Sequence, residues 1–186
     1  IQSATTTLIK RLDYGNATQR VTQLALDPET DAAVRASSLT AMAALKAPEL
    51  TKVINLALAS DSPQLRMAAR AAIPNPLSMI KQVQWASRAG TLIEKQHAIA
   101  LAGRIDAKQS TSLMSNWLSA LMKGTAPDEL ALDIYIAATK HEATSETASK
   151  FTTTLPADQG GFLALALHGG NPDKGEEIFH TSITGQ

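Results

Sequence analysis

Residues 24–45 read LALDPETDAAVRASSLTAMAAL, and this stretch decides the fold. Val34, Ser38, Leu39, Met42 and Leu45 recur at i, i+4, i+5, i+8 and i+11, which marks one face of a 3.6-residue period. Ahead of that run sits an acidic, Pro-containing turn, DPETD, preceded by another apolar segment. The reading is helix, turn, helix. Working outward, Leu50, Val53, Ile54, Ala57 and Leu58 repeat the pattern, as do Leu92, Ile93, Ala98, Ile99, Leu101 and Ala102. No segment alternates as a strand would. The eight prolines fall between these runs or at a first helical position, where a missing N–H does least damage.

The helices come in pairs. Aligning VRASSLTAMAAL (34–45), LRMAARAAI (65–73) and KQHAIALAGRI (95–105) superimposes Arg35, Arg66 and Gln96, 31 and 30 residues apart. LALDIYIAATK (130–140) is a weaker fourth copy. Each copy follows another apolar helix, at 17–26, 49–59, 77–88 and 109–122. A degraded fifth unit spans 145–155 and 159–168. A pair of short helices cannot bury its apolar face alone, and stacking supplies the continuous core.

On these residues the chain resembles the HEAT repeat family. LALDPETDAAVRASSLTAMAAL and LALASDSPQLRMAARAAI share a helix, an acidic turn, then "VR" or "LR" and an Ala-rich second helix. The resemblance covers roughly residues 17–168 and weakens where later copies lose the Asp and Arg. It implies an all-α fold, a HEAT/armadillo-like α-α superhelix of four to five helix pairs. It also implies that Asp27, Asp31, Arg35, Asp61 and Arg66 form a structural ladder bonding turns and fixing repeat register. The domain expectation is a repeat domain over 1–168 and a linker with an opening helix over 169–186.

Composition narrows function. Lys+Arg and Asp+Glu are both 17, so a nucleic-acid or anionic-membrane partner has no electrostatic basis in the net charge. Two Trp, two Tyr and three Phe give few stacking platforms. No run of 18 apolar residues forms a membrane span. Zero cysteines removes disulfides, thiolate metal sites and Cys nucleophiles. His97, His141, His168 and His180 lack metal-motif spacing, and His141-Glu142 alone offers at most two ligands. No G-x-S-x-G elbow or phosphate-cradling glycine fingerprint occurs, so this segment is expected to have no catalytic residues, metal or cofactor. Trp85 and Trp117 lie on first helices of successive units. Burial among small Ala side chains is the expectation for both, exposure as interface anchors the alternative.

The last residues, GGNPDKGEEIFHTSITGQ (169–186), resemble the opening helix of class I c-type cytochromes, G-x-x-x-x-G-x-x-I-F. Gly170, Gly175, Ile178 and Phe179 carry that match, and the resemblance implies that Gly175, Ile178 and Phe179 dock a tail helix. With no C-x-x-C-H present, haem c would belong to a following domain, the chain being a piece cut just before that motif. HEAT-like repeats ahead of such a module resemble a bacterial multidomain architecture with a propeller dehydrogenase-like domain first. The expectation is thus a non-catalytic scaffold in a periplasmic or secreted, membrane-bound-dehydrogenase-like protein, with neighbouring domains or another protein as partner. A free-standing protein–protein interaction adaptor is the alternative. A HEAT-like base glycosylase or bilin lyase would need a basic groove or a sizeable pocket.

Overall fold

The computed structural model describes residues 16–105, 108–155 and 165. Among them every regular element is helical: α1 Ala17–Leu26, α2 Ala32–Leu45, α3 Leu50–Leu58, α4 Pro63–Ala72, α5 Pro76–Ala89, α6 Leu92–Ala102, α7 Lys108–Met122, a 3₁₀ turn Asp128–Leu130, α8 Ala131–Lys140 and α9 Ser145–Thr152. The fold is all-α. The chain divides into two compact units, Ile1–Trp85 and Ala86–Gln186. The expected second helix of the fifth pair and the tail helix with Gly175, Ile178 and Phe179 lie outside the described residues.

Local chemistry sets the helix ends. Asp31 accepts the Ala33 N–H at 2.8 Å and starts α2. Ser62 accepts the Leu65 N–H at 3.4 Å ahead of Pro63, and Asn75 accepts the Ser78 N–H at 3.1 Å ahead of Pro76. In both cases Pro occupies the first helical position, where its fixed φ is already helical. α2 ends differently, on Lys46 in the left-handed region at φ 53°. The Lys46 N–H reaches the Ala43 carbonyl at 3.3 Å and the Ala47 N–H the Met42 carbonyl at 3.0 Å. That closes the last turn and buries Ala47.

In the first unit α2 packs on α1, α3 and α4, and α3 packs on α4. The second helices of successive pairs, α2 and α4, are therefore stacked. Their core is Leu39, Met42, Val53, Ile54, Leu65 and Ala69 with smaller residues between. All four α3 positions buried here, Leu50, Val53, Ile54 and Ala57, belong to the expected stripe, and Leu58, its last member, is half-buried. In α2 the buried arc is Ala36, Ser38, Leu39 and Met42, while Val34 is exposed. Neighbours on two sides bring the small Ala36 inward and leave the first-turn Val34 outside the contact.

The second unit repeats this arrangement: α8 packs on α6, α7 and α9. Gly103, just past α6, lets the α6 end and α8 approach at backbone distance. A Cβ there would lie 2.8 Å from the Ala137 carbonyl oxygen and 2.9 Å from its Cα. The expected α6 stripe is corrected at its start, because Leu92 is exposed and Glu94 is buried instead. Glu94 turns back to the helix start, where Oε2 accepts from the Thr91 N–H and the Thr91 hydroxyl, both at 3.1 Å. Those bonds keep the buried carboxylate partnered.

Candidate functional site

Three places combine polar chemistry with defined geometry. The first is the acidic turn and the arginine that follows it. Asp27 accepts the Glu29 N–H at 3.0 Å and the Thr30 hydroxyl at 2.8 Å. The Thr30 bond, then the Glu29 N–H, and more weakly the Arg35 charge, hold its carboxyl below the ordinary carboxylate value. Arg35 Nε donates to the Ala25 carbonyl at 3.4 Å, in the last turn of α1. One pair later Arg66 Nη1 donates to the Ser60 carbonyl at 2.6 Å, just past α3. Equivalent arginines on two second helices thus reach back to the end of their own first helix, where carbonyls lack intrahelical partners. Asp61 stands exposed in its turn, and the neighbouring serines take the bonds: Ser60 Oγ accepts the Ser62 N–H at 3.1 Å, and Ser62 caps α4.

The second place is a buried polar joint in the second unit. His141, at the end of α8, is 5 % exposed and Ser110 on α7 is fully buried. Ser110 Oγ donates to the Ile105 carbonyl at 2.6 Å and lies 3.0 Å from His141 Nε2. The carbonyl can only accept, so the single hydroxyl proton goes there and Nε2 must carry the proton in the Ser–His bond. That polarity is opposite to the one a serine nucleophile needs, where the ring takes the hydroxyl proton. Thr144, also buried, donates to the Ala138 carbonyl at 2.8 Å and closes the same corner. The joint fastens the start of α7 to the end of α8. Sequence reasoning considered His141 only beside Glu142, as two ligands, too few for a metal. Glu142 is exposed, and Ser110, 31 residues away, offers no local signal.

The third place is the outer face of α5 over residues 77–85, the part of that helix that belongs to the first unit. Ile80, Val83 and Ala86 are buried, and Trp85 lies about 200° round the helix from Val83. Trp85 is consequently 51 % exposed, which corrects the expectation of burial; Trp117 is half-buried. The indole is held from one side by Arg70, whose guanidinium carbon lies 5.5 Å from the ring centroid. Arg70 itself is 1 % exposed, in the last turn of α4, where a cation suits the negative helix end. Leu77 is exposed two four-residue steps earlier, and Lys81 stands between them. Beside this stripe runs a groove of about 430 Å³ between α3 and α5. Ile54, Leu58 and Ile73 supply apolar lining, and Asn55, Lys81 and Gln82 are among the polar ones. Arg70 is the residue sequence reading missed, since one charge among alanines reads as solvent-facing. Its four-residue offset from Arg66 was the available signal.

No group of three or more His, Asp or Glu side chains able to hold a metal occurs among the described residues. No helix there is long and apolar enough to cross a membrane. The described residues thus make an all-α protein of helix pairs, with second helices stacked inside each unit. No family model, curated protein or solved structure matches the chain.

Proposed function

We propose that this chain is a non-catalytic helical-repeat scaffold, a HEAT-like segment that holds a dehydrogenase-like domain and a c-type haem domain within one secreted or periplasmic redox protein. The observation that carries the scaffold reading is that arginines at matching places on two successive second helices, Arg35 and Arg66, both turn back to backbone carbonyls at or just past their own first helix, Ala25 and Ser60. A repeat whose polar residues close its own turns leaves its outer faces for neighbours. The Ser–His pair supports the same reading, because its hydrogen bonding serves packing rather than nucleophile activation. The haem part rests on the tail sequence around Gly170, Gly175, Ile178 and Phe179. These residues contain no cysteine, so they cannot attach haem covalently, and the attachment motif would belong to the next domain.

Expression of the full reading frame in a host that matures c-type cytochromes tests the proposal. Covalent haem in the parent, with none on residues 1–186 alone, is the expected result. A parent without haem overturns the redox assignment. The exposed Trp85 and its groove favour one second reading, a free-standing adaptor that docks another protein.

A further inference from the structure

The region around α5 is electrically unlike the rest of the chain. From Ser62 to Ile93 the sequence has no acidic residue, but it carries Arg66, Arg70, Lys81 and Arg88, within a chain whose charges balance overall. Arg88 belongs to the second unit, Arg70 is buried and Arg66 is bonded to the Ser60 carbonyl, so in the first unit Lys81 is the member of this run exposed beside apolar side chains. Leu77, Lys81 and Trp85 recur every four residues along the open face of α5, spanning about 12 Å. Lys81 is exposed and has no ion pair among the described residues, and it also lines the neighbouring groove. The Arg70 guanidinium backs one side of the indole and leaves the rest of the ring open to a partner.

We propose that this face docks an acidic amphipathic helix from a protein partner, which lays apolar residues against Leu77, Trp85 and the groove and pairs a carboxylate with Lys81. The proposal rests on the scaffold reading in that it makes the contact a protein one, and it names the partner's chemistry. Charge complementarity selects the acid: a basic segment would meet Lys81 unpaired, and a neutral one would leave it desolvated without a counter-ion. Spacing selects the helix, because anchors at i and i+8 match the ridge a partner helix presents at i, i+4 and i+7. A polyanion is the poorer match. A phosphate backbone is held by many cations, whereas the anchors on this stripe are two apolar side chains and one lysine.

The test is a display selection on the folded chain, using a library of helical peptides randomised on one face. Enriched peptides should be acidic, with two apolar anchors one to two turns apart. Their affinity should fall about tenfold or more for Trp85→Ala and for Lys81→Glu, and Lys81→Glu should shift preference toward basic peptides. Circular dichroism checks folding, and Leu77→Ser replaces Trp85→Ala if removing the indole disturbs the helix. No enrichment, enrichment of neutral or basic peptides, or affinities unmoved by these variants would overturn the proposal. So would preferential, Lys81-dependent binding of a 20-nucleotide single strand or of phosphatidylserine vesicles, or self-association abolished by Trp85→Ala. A parent protein lacking haem leaves this test untouched, and a failed selection leaves the haem test untouched.

Discussion

Lys46 ends α2 in a conformation that costs a side-chain-bearing residue about 1–2 kcal/mol and glycine much less. Lys46→Gly therefore should raise stability by about 1 kcal/mol, read as a higher urea midpoint at constant slope; a lower midpoint would mean that the lysine side chain contributes something the backbone geometry does not show. Ser110 bears the opposite burden. Ser110→Ala leaves His141 Nε2 and the Ile105 carbonyl without their shared partner, and should cost about 1–3 kcal/mol in the same measurement. Asp27 gives a pH-dependent check. Its folded carboxyl titrates below the ordinary value, so its contribution is complete above the ordinary carboxylate pKa and lost as pH falls through the depressed one. Thr30 is the largest cause, so Thr30→Ala should move the Asp27 carboxyl midpoint upward in an NMR titration. An unmoved midpoint would assign the effect to the Glu29 N–H instead.

At the scale of elements, glycine permits a close approach in the second unit. Gly103→Ala would drive a Cβ into the Ala137 backbone, and no flexible side chain is there to yield. α6 and α8 would have to separate, at a cost of about 1–3 kcal/mol in thermal or chemical denaturation; a neutral result would mean that the two helices slide apart freely. Helices and their pairing were legible in sequence because period and punctuation are local. The boundaries marked by Pro63 and Pro76, and the α3 stripe at Leu50, Val53, Ile54 and Ala57, follow directly from residue type. Which arc of each helix is buried was less legible. Val34 and Leu92 are apolar yet exposed, and Glu94 is charged yet buried, because neighbours on two sides and helix-start hydrogen bonds overrule hydrophobicity. Trp85 belongs to the same class: only the packing of Ile80, Val83 and Ala86 shows that the indole faces outward.

For the whole molecule, the balance of charge hides a local bias. A net charge of zero argues against a polyanionic partner for the entire chain, yet the run from Ser62 to Ile93 has no acid, and it places the exposed Lys81 on the open face of α5. The Ser110–His141 joint was illegible for a related reason, since its members come from different helices and nothing in either neighbourhood marks them. Function at this scale follows from arrangement. The first unit places Arg35 and Arg66 in its turns and the second holds the buried Ser110–His141 joint, and docking on the outer surfaces is the function proposed for them. The claim that these surfaces serve a redox protein rests on the tail residues Gly170, Gly175, Ile178 and Phe179. The most direct test is to read the parent gene beyond the Gln186 codon. The account predicts a C-x-x-C-H within the next few codons. A stop codon, or a following domain without that motif, would contradict it and leave a repeat adaptor whose partner must be found by its acidic helix.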